Sequence, residues 1–127
     1  MSIVLKIIGT ELPFLLAIAT GIWLSNSGEP LNTAIFTIHK LIALGSVIFI
    51  AIVIRNLLRN VQIVDIRIVI ITLITIMGLS VLVLFISGAL LSFGKSVNNI
   101  ILTIHSVTPI LTVITTAMTI YLLVSRK

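Results

Sequence analysis

Cysteine is absent from the 127-residue chain, and carboxylates nearly so, with three Asp and Glu residues together. A disulfide framework, a thiolate metal cluster and a covalently attached C-x-x-C-H haem are therefore excluded. Charge of either sign is scarce: 9% of residues are Asp, Glu, Lys or Arg, against roughly a quarter in a soluble globular domain. That leaves too little polar surface to cover a water-soluble globule. The polar breaks "SNSGEP", "RNLLRNVQIVD" and "SFGKS" are short, so no soluble domain, extended linker or low-complexity tail is expected.

What is present is apolar: 59% of the chain, with a mean hydropathy of +1.37. Crossing the hydrocarbon core takes about 20 residues per helix, and the sequence divides into four such runs, at about residues 3–25, 31–54, 66–92 and 97–124. The expected fold is an all-α membrane protein, a single domain over residues 1–127 built as an up-down-up-down bundle of four transmembrane helices.

The net charge of +5 does not signify a nucleic-acid partner. Lys6, Arg55, Arg59, Arg67, Arg126 and Lys127 all fall at one set of helix ends, whereas the other set has Lys40 and Lys95 with Glu29. Basic residues collect on the cytoplasmic side of membrane proteins. Both termini are thus expected in the cytoplasm and the two tight turns outside, with the lipid bilayer, most simply the plasma membrane, as the surroundings. Trp23 and Tyr121 stand near helix ends, where amphipathic rings favour the headgroup layer.

The chain also repeats itself. "TGIWLSN" (20–26) aligns with "SGALLSF" (87–93), and "GEPLNTAIFTIH" (28–39) with "GKSVNNIILTIH" (94–105), with Ser27 as the one gap. Nine of nineteen columns are identical, and the matched Gly, Ser, Asn and His are not matches that apolar composition alone would produce. Helix 1 therefore corresponds to helix 3, and is expected to stay in the protein rather than to be removed as a signal. The repeat units cover about residues 1–58 and 66–124. Both enter the membrane in the same sense, so their pseudo-twofold axis lies along the membrane normal.

Each repeat carries a single histidine, His39 or His105, eight or nine residues below the outer start of its helix, at a depth of about 12–13 Å. Four helices packed around a square place helices 2 and 4 on a diagonal, so the two imidazoles are expected to face each other at one level. Two imidazoles from opposite sides suit a six-coordinate haem iron. Zinc would need four protein ligands, and copper a nearby Met or Cys, whereas Met77 and Met118 are not placed by the repeat. Without cysteine such a haem is b-type, one per chain. Asn32 and Asn98, seven residues before each histidine, are placed to donate to haem propionates or to cap the outer turns. Ile35 and Ile101, four before each histidine, would lie against the ring. Gly21 and Gly88, beside Thr20 and Ser87, would either make room for a macrocycle or serve ordinary helix packing. A structural role for the histidines, bonding a neighbouring helix, is the competing reading.

This arrangement resembles the membrane b-type cytochromes, including the cytochrome b561 group and the four-helix core of respiratory cytochrome b. The resemblance implies axial ligation by His39 and His105, and room for the porphyrin at Gly21 and Gly88. Those families commonly carry two histidines on each ligand helix and two stacked haems. Here each helix has one, which implies one haem, in the outer half of the membrane.

The expected function is single-electron transfer between a membrane donor such as quinol and an outside acceptor, or within a larger respiratory-type complex. With both axial positions filled, the chain is expected to be an electron carrier rather than a self-contained enzyme. A cofactor-free accessory role in a larger complex and a small transporter are the alternatives, and a homo-oligomer is among the expected assemblies. Glu11 lies inside the first apolar run, near a kink expected at Pro13. It is either a proton relay or part of a quinone pocket, or it snorkels to Lys6 or Arg67; the second is the favoured expectation.

Overall fold

The computed structural model describes residues 2–28, 32–62, 64–93 and 99–126. The chain forms four helices, α1 (Ile3–Asn26), α2 (Thr33–Arg59), α3 (Arg67–Phe93) and α4 (Asn99–Ser125). Each is long and apolar enough to cross a membrane. The protein is an all-α bundle of two consecutive helical hairpins, running up-down-up-down.

Local chemistry sets the helix ends. Ser2 caps α1, its hydroxyl accepting from Leu5 N–H at 3.2 Å. Asn32 caps α2, its Oδ1 accepting from Ala34 and Ile35 N–H at 3.0 and 3.1 Å, which satisfies donors that the first turn leaves unpaired. Gly28, at φ +84°, turns the chain after α1 in a conformation open to glycine. Helix α2 runs five residues beyond the end expected at about residue 54. Hydropathy marks the edge of the hydrocarbon, not the end of the helix: Leu57 still packs into the core beside the exposed Arg55 and Arg59. Helices α1 and α4 continue through Pro13 and Pro109.

The packing is inverted relative to a soluble bundle. Large apolar residues such as Leu41, Ile48, Leu82 and Ile114 are exposed, whereas Ser46, Thr112, Thr116 and Thr119 are at most 1% exposed. An apolar exterior has lipid as its natural solvent, and small polar residues inside let backbones approach and hydrogen-bond across helices. Thr112 does so directly, donating to Ser80 Oγ at 2.8 Å between α4 and α3. The apolar core lies in the half of the bundle nearer the chain termini, around Phe14, Ile54, Ile70 and Ile120.

Four seams hold the bundle: α1 with α2, α3 with α4, α1 with α4, and the diagonal α2 with α4. The expected square is sheared, because α2 and α3 do not pack closely. Shearing brings the two histidine helices into contact and leaves the α2–α3 edge open.

A candidate cofactor site between the two histidine helices

The half of the bundle remote from the termini contains both histidines, whose ring centroids are 6.3 Å apart with planes at 76°. The repeat thus places two imidazoles together from residues 66 positions apart in sequence.

Each ring is held from behind by the helix that precedes its own. His39 Nδ1 lies 2.9 Å from the Ala17 carbonyl and 3.1 Å from Thr20 Oγ1. A carbonyl can only accept, so Nδ1 carries the hydrogen and Nε2 presents a lone pair. His105 Nδ1 lies 2.8 Å from Ser87 Oγ, whose own hydroxyl donates to the Leu84 carbonyl at 3.2 Å. Nδ1 therefore donates here too. Ala17 and Leu84 occupy equivalent places in the two repeats, as do Thr20 and Ser87. Among the described residues no hydrogen bond engages either Nε2.

The glycines abut the rings. A Cβ added at Gly21 would stand 3.0 Å from His39 Cε1, and one at Gly88 would stand 3.1 Å from His105 Cε1. Both separations are shorter than the ~3.5–4.0 Å of a comfortable carbon contact. Where room for a macrocycle was expected, what stands against each glycine is the imidazole of the following helix.

These residues can be tested against a haem. A metal–imidazole bond is about 2.0–2.1 Å long and the ring centroid lies about 1.1 Å behind the nitrogen, so two imidazoles on opposite sides of one metal would hold their centroids about 6.2–6.4 Å apart. The observed 6.3 Å meets that requirement. Ordinary ring pairs also fall within about 4.5–7 Å; what distinguishes this pair is that both Nδ1 atoms are engaged while both Nε2 atoms are not. Metal-ligating histidines are oriented by just such bonds at the second nitrogen. No cluster of three or more His, Cys, Asp or Glu occurs among the described residues. The two imidazoles thus suit a metal that brings its other ligands with it, as haem iron does.

The remaining expected site residues divide. Ile35 is buried four residues from His39, and Ile101 is half-buried at the matching position. Asn32 spends its carbonyl oxygen on the helix cap, which leaves its amide hydrogens to donate elsewhere. Asn98 lies outside the described residues. Lys40 rests over the Phe36 ring, its Nζ 4.6 Å from the centroid, as a cation–π contact.

Glu11 corrects an expectation. It does not snorkel to Lys6 or Arg67: it is 4% exposed, and neither carboxylate oxygen has a hydrogen-bond partner. Its position on α1 is the cause, since Thr10, Phe14 and Ala17 of the same helix are buried with it. Along α1, Glu11 also lies nearer the chain terminus than Ala17 and Thr20, which meet His39.

Two features were missed in the sequence. Thr20 and Ser87 were read only as small residues, although a hydroxyl just before each matched glycine was a signal. The buried Thr112, Thr115, Thr116 and Thr119 of α4 were legible as a stripe at helical spacing.

Comparison with protein-family models, curated proteins and solved structures finds no match for this chain. Its chemistry must therefore be argued from the site itself.

Proposed function

We propose that this chain is a membrane electron-transfer protein holding one b-type haem between His39 and His105. The observation that carries the reading is the pair of imidazoles at 6.3 Å, each anchored through Nδ1 by the neighbouring helix. Haem b, when bound, supplies reversible one-electron chemistry at iron. The Ala17 carbonyl and the Ser87 hydroxyl hold the imidazoles in one tautomer and one orientation. Gly21 and Gly88 let α1 and α3 close behind the rings. Ile35 and Ile101 furnish apolar walls that exclude water, and Asn32 retains amide donors for a carboxylate at the end of the bundle. A haem held by both histidines would favour carriage of electrons over catalysis.

The resemblance to cytochrome b561 and the respiratory cytochrome b core supports the same reading. The distribution of Lys and Arg favours cytoplasmic termini and a haem in the outer half of the plasma membrane. A quinol donor, and an outside acceptor or a larger complex, are the partners this placement suits.

The test is an absorbance spectrum of the detergent-purified protein, air-oxidised and then dithionite-reduced, beside His39→Ala and His105→Ala. Sharp reduced α and β bands with one haem per chain, lost in both variants, are expected. A colourless protein from haem-replete expression, with both variants folded, overturns the proposal and favours a cofactor-free accessory subunit or a transporter.

A further inference from the structure

The pseudo-twofold relation makes the α1–α4 seam equivalent to the α3–α2 seam, yet the first is closed and the second is not. The matched side chains of α4 and α2 also differ. Continuing the repeat register inward pairs Thr112, Thr115, Thr116 and Thr119 of α4 with Ser46, Phe49, Ile50 and Val53 of α2. Thr112 and Thr116 of α4 line the open side together with Ile50 of α2, whereas Phe49 and Val53 of α2 line a separate pocket against α1. On the facing helices Glu11 of α1 corresponds to Gly78 of α3. A Cβ built at Gly78 meets nothing within 4 Å.

The open seam is a groove of about 530 Å³, walled by residues including Ile50 and Ile54 of α2 and Ile74 and Gly78 of α3, with Arg55 and Arg59 at its end. Along α2 it extends from Val47 to Arg59, about 18 Å at 1.5 Å per residue. One leaflet of a ~30 Å hydrocarbon core is about 15 Å deep, so the groove runs the depth of a single leaflet and ends at headgroup level. Arg55 and Arg59, one helical turn apart, share a face there. The ion pair found among the described residues is Arg126 with Asp65, at 3.2 Å, which leaves both guanidiniums without a carboxylate.

We propose that this groove binds an anionic phospholipid of the leaflet nearest the termini. One acyl chain lies along the apolar walls, and the phosphate is held by Arg55 and Arg59. Basic pockets between transmembrane helices suit such headgroups, and guanidinium donors match phosphate oxygens in pairs. A second copy of the chain is a poorer occupant, because twofold contact through this face would set the two arginine pairs against each other at the same depth. The inference is independent of the haem reading.

The experiment is native mass spectrometry of the full chain, released from detergent after incubation with phosphatidylglycerol or phosphatidylcholine of identical acyl chains. Wild type is expected to retain phosphatidylglycerol at least tenfold better. Arg55→Gln/Arg59→Gln should reduce that retention to the phosphatidylcholine level. Gly78→Leu, which fills open space, should weaken both lipids while the helical circular dichroism is unchanged. Equal retention of the two lipids by wild type overturns the proposal, a result that needs no variant to fold. So does undiminished phosphatidylglycerol retention by either folded variant, or a dimer cross-linked through the groove in place of lipid.

Discussion

Replacing Gly21 with alanine tests most directly whether the histidine is held at a designed separation. The added Cβ would stand 3.0 Å from Cε1, 3.5 Å from Nδ1 and 3.7 Å from Nε2 of His39. Restoring a carbon contact of about 3.5 Å requires the ring or α1 to retreat by about half an ångström. The Nδ1 bond to the Ala17 carbonyl, now 2.9 Å, would stretch to about 3.4 Å, beyond the usual 2.7–3.2 Å range. Overpacking of this kind costs about 1–3 kcal/mol, which under the proposed haem ligation corresponds to about a 5–150-fold loss of haem affinity at 1.4 kcal/mol per tenfold. Gly88→Ala, at 3.1 Å from His105 Cε1, should behave alike. Gly45→Ala is the control, because its Cβ meets nothing within 4 Å. The assay is competition for haem against a haem-scavenging protein, with the reduction potential measured on each variant. Wild-type affinity and potential in both Gly21→Ala and Gly88→Ala would refute the close-approach argument.

Two further predictions rest on other residues. Glu11→Leu removes a buried carboxyl without partners, a group that costs about 1–3 kcal/mol when left unsatisfied; the unfolding midpoint in denaturant should rise by a corresponding amount, and a fall would mean that Glu11 has a partner after all. Asn32→Ala should lose about 1 kcal/mol of stability with the cap, whereas Asn32→Asp should keep the cap but replace the amide donor by an acceptor; equal haem affinity in Asn32→Asp and wild type would confine Asn32 to capping.

Much of the site was legible because it was written twice. The identity of Gly21 with Gly88 and of His39 with His105 pointed to one place from two directions, and the helix register supplied a common depth. The role of Thr20 and Ser87 was less visible, since a hydroxyl beside a glycine reads equally well as packing. The carbonyls of Ala17 and Leu84 were invisible, because every residue has one and only the fold decides which faces a ring. Glu11 was misplaced for a related reason: its distance along the helix allowed it to reach Lys6, but the face it occupies is buried in the bundle.

The sequence by itself determined the solvent, the number of spans, their alternation and the pairing of the two repeats. All of these follow from hydropathy, charge placement and matched residues, which are properties of the chain read locally. The tertiary structure alone decided that the square shears, that α1 closes on α4 while α3 stands off from α2, and that the imidazoles meet at 6.3 Å. Those outcomes depend on which side chains and carbonyls meet across seams, as Thr112 of α4 meets Ser80 of α3 and His39 of α2 meets the Ala17 carbonyl of α1. No single helix contains both members of such a pair.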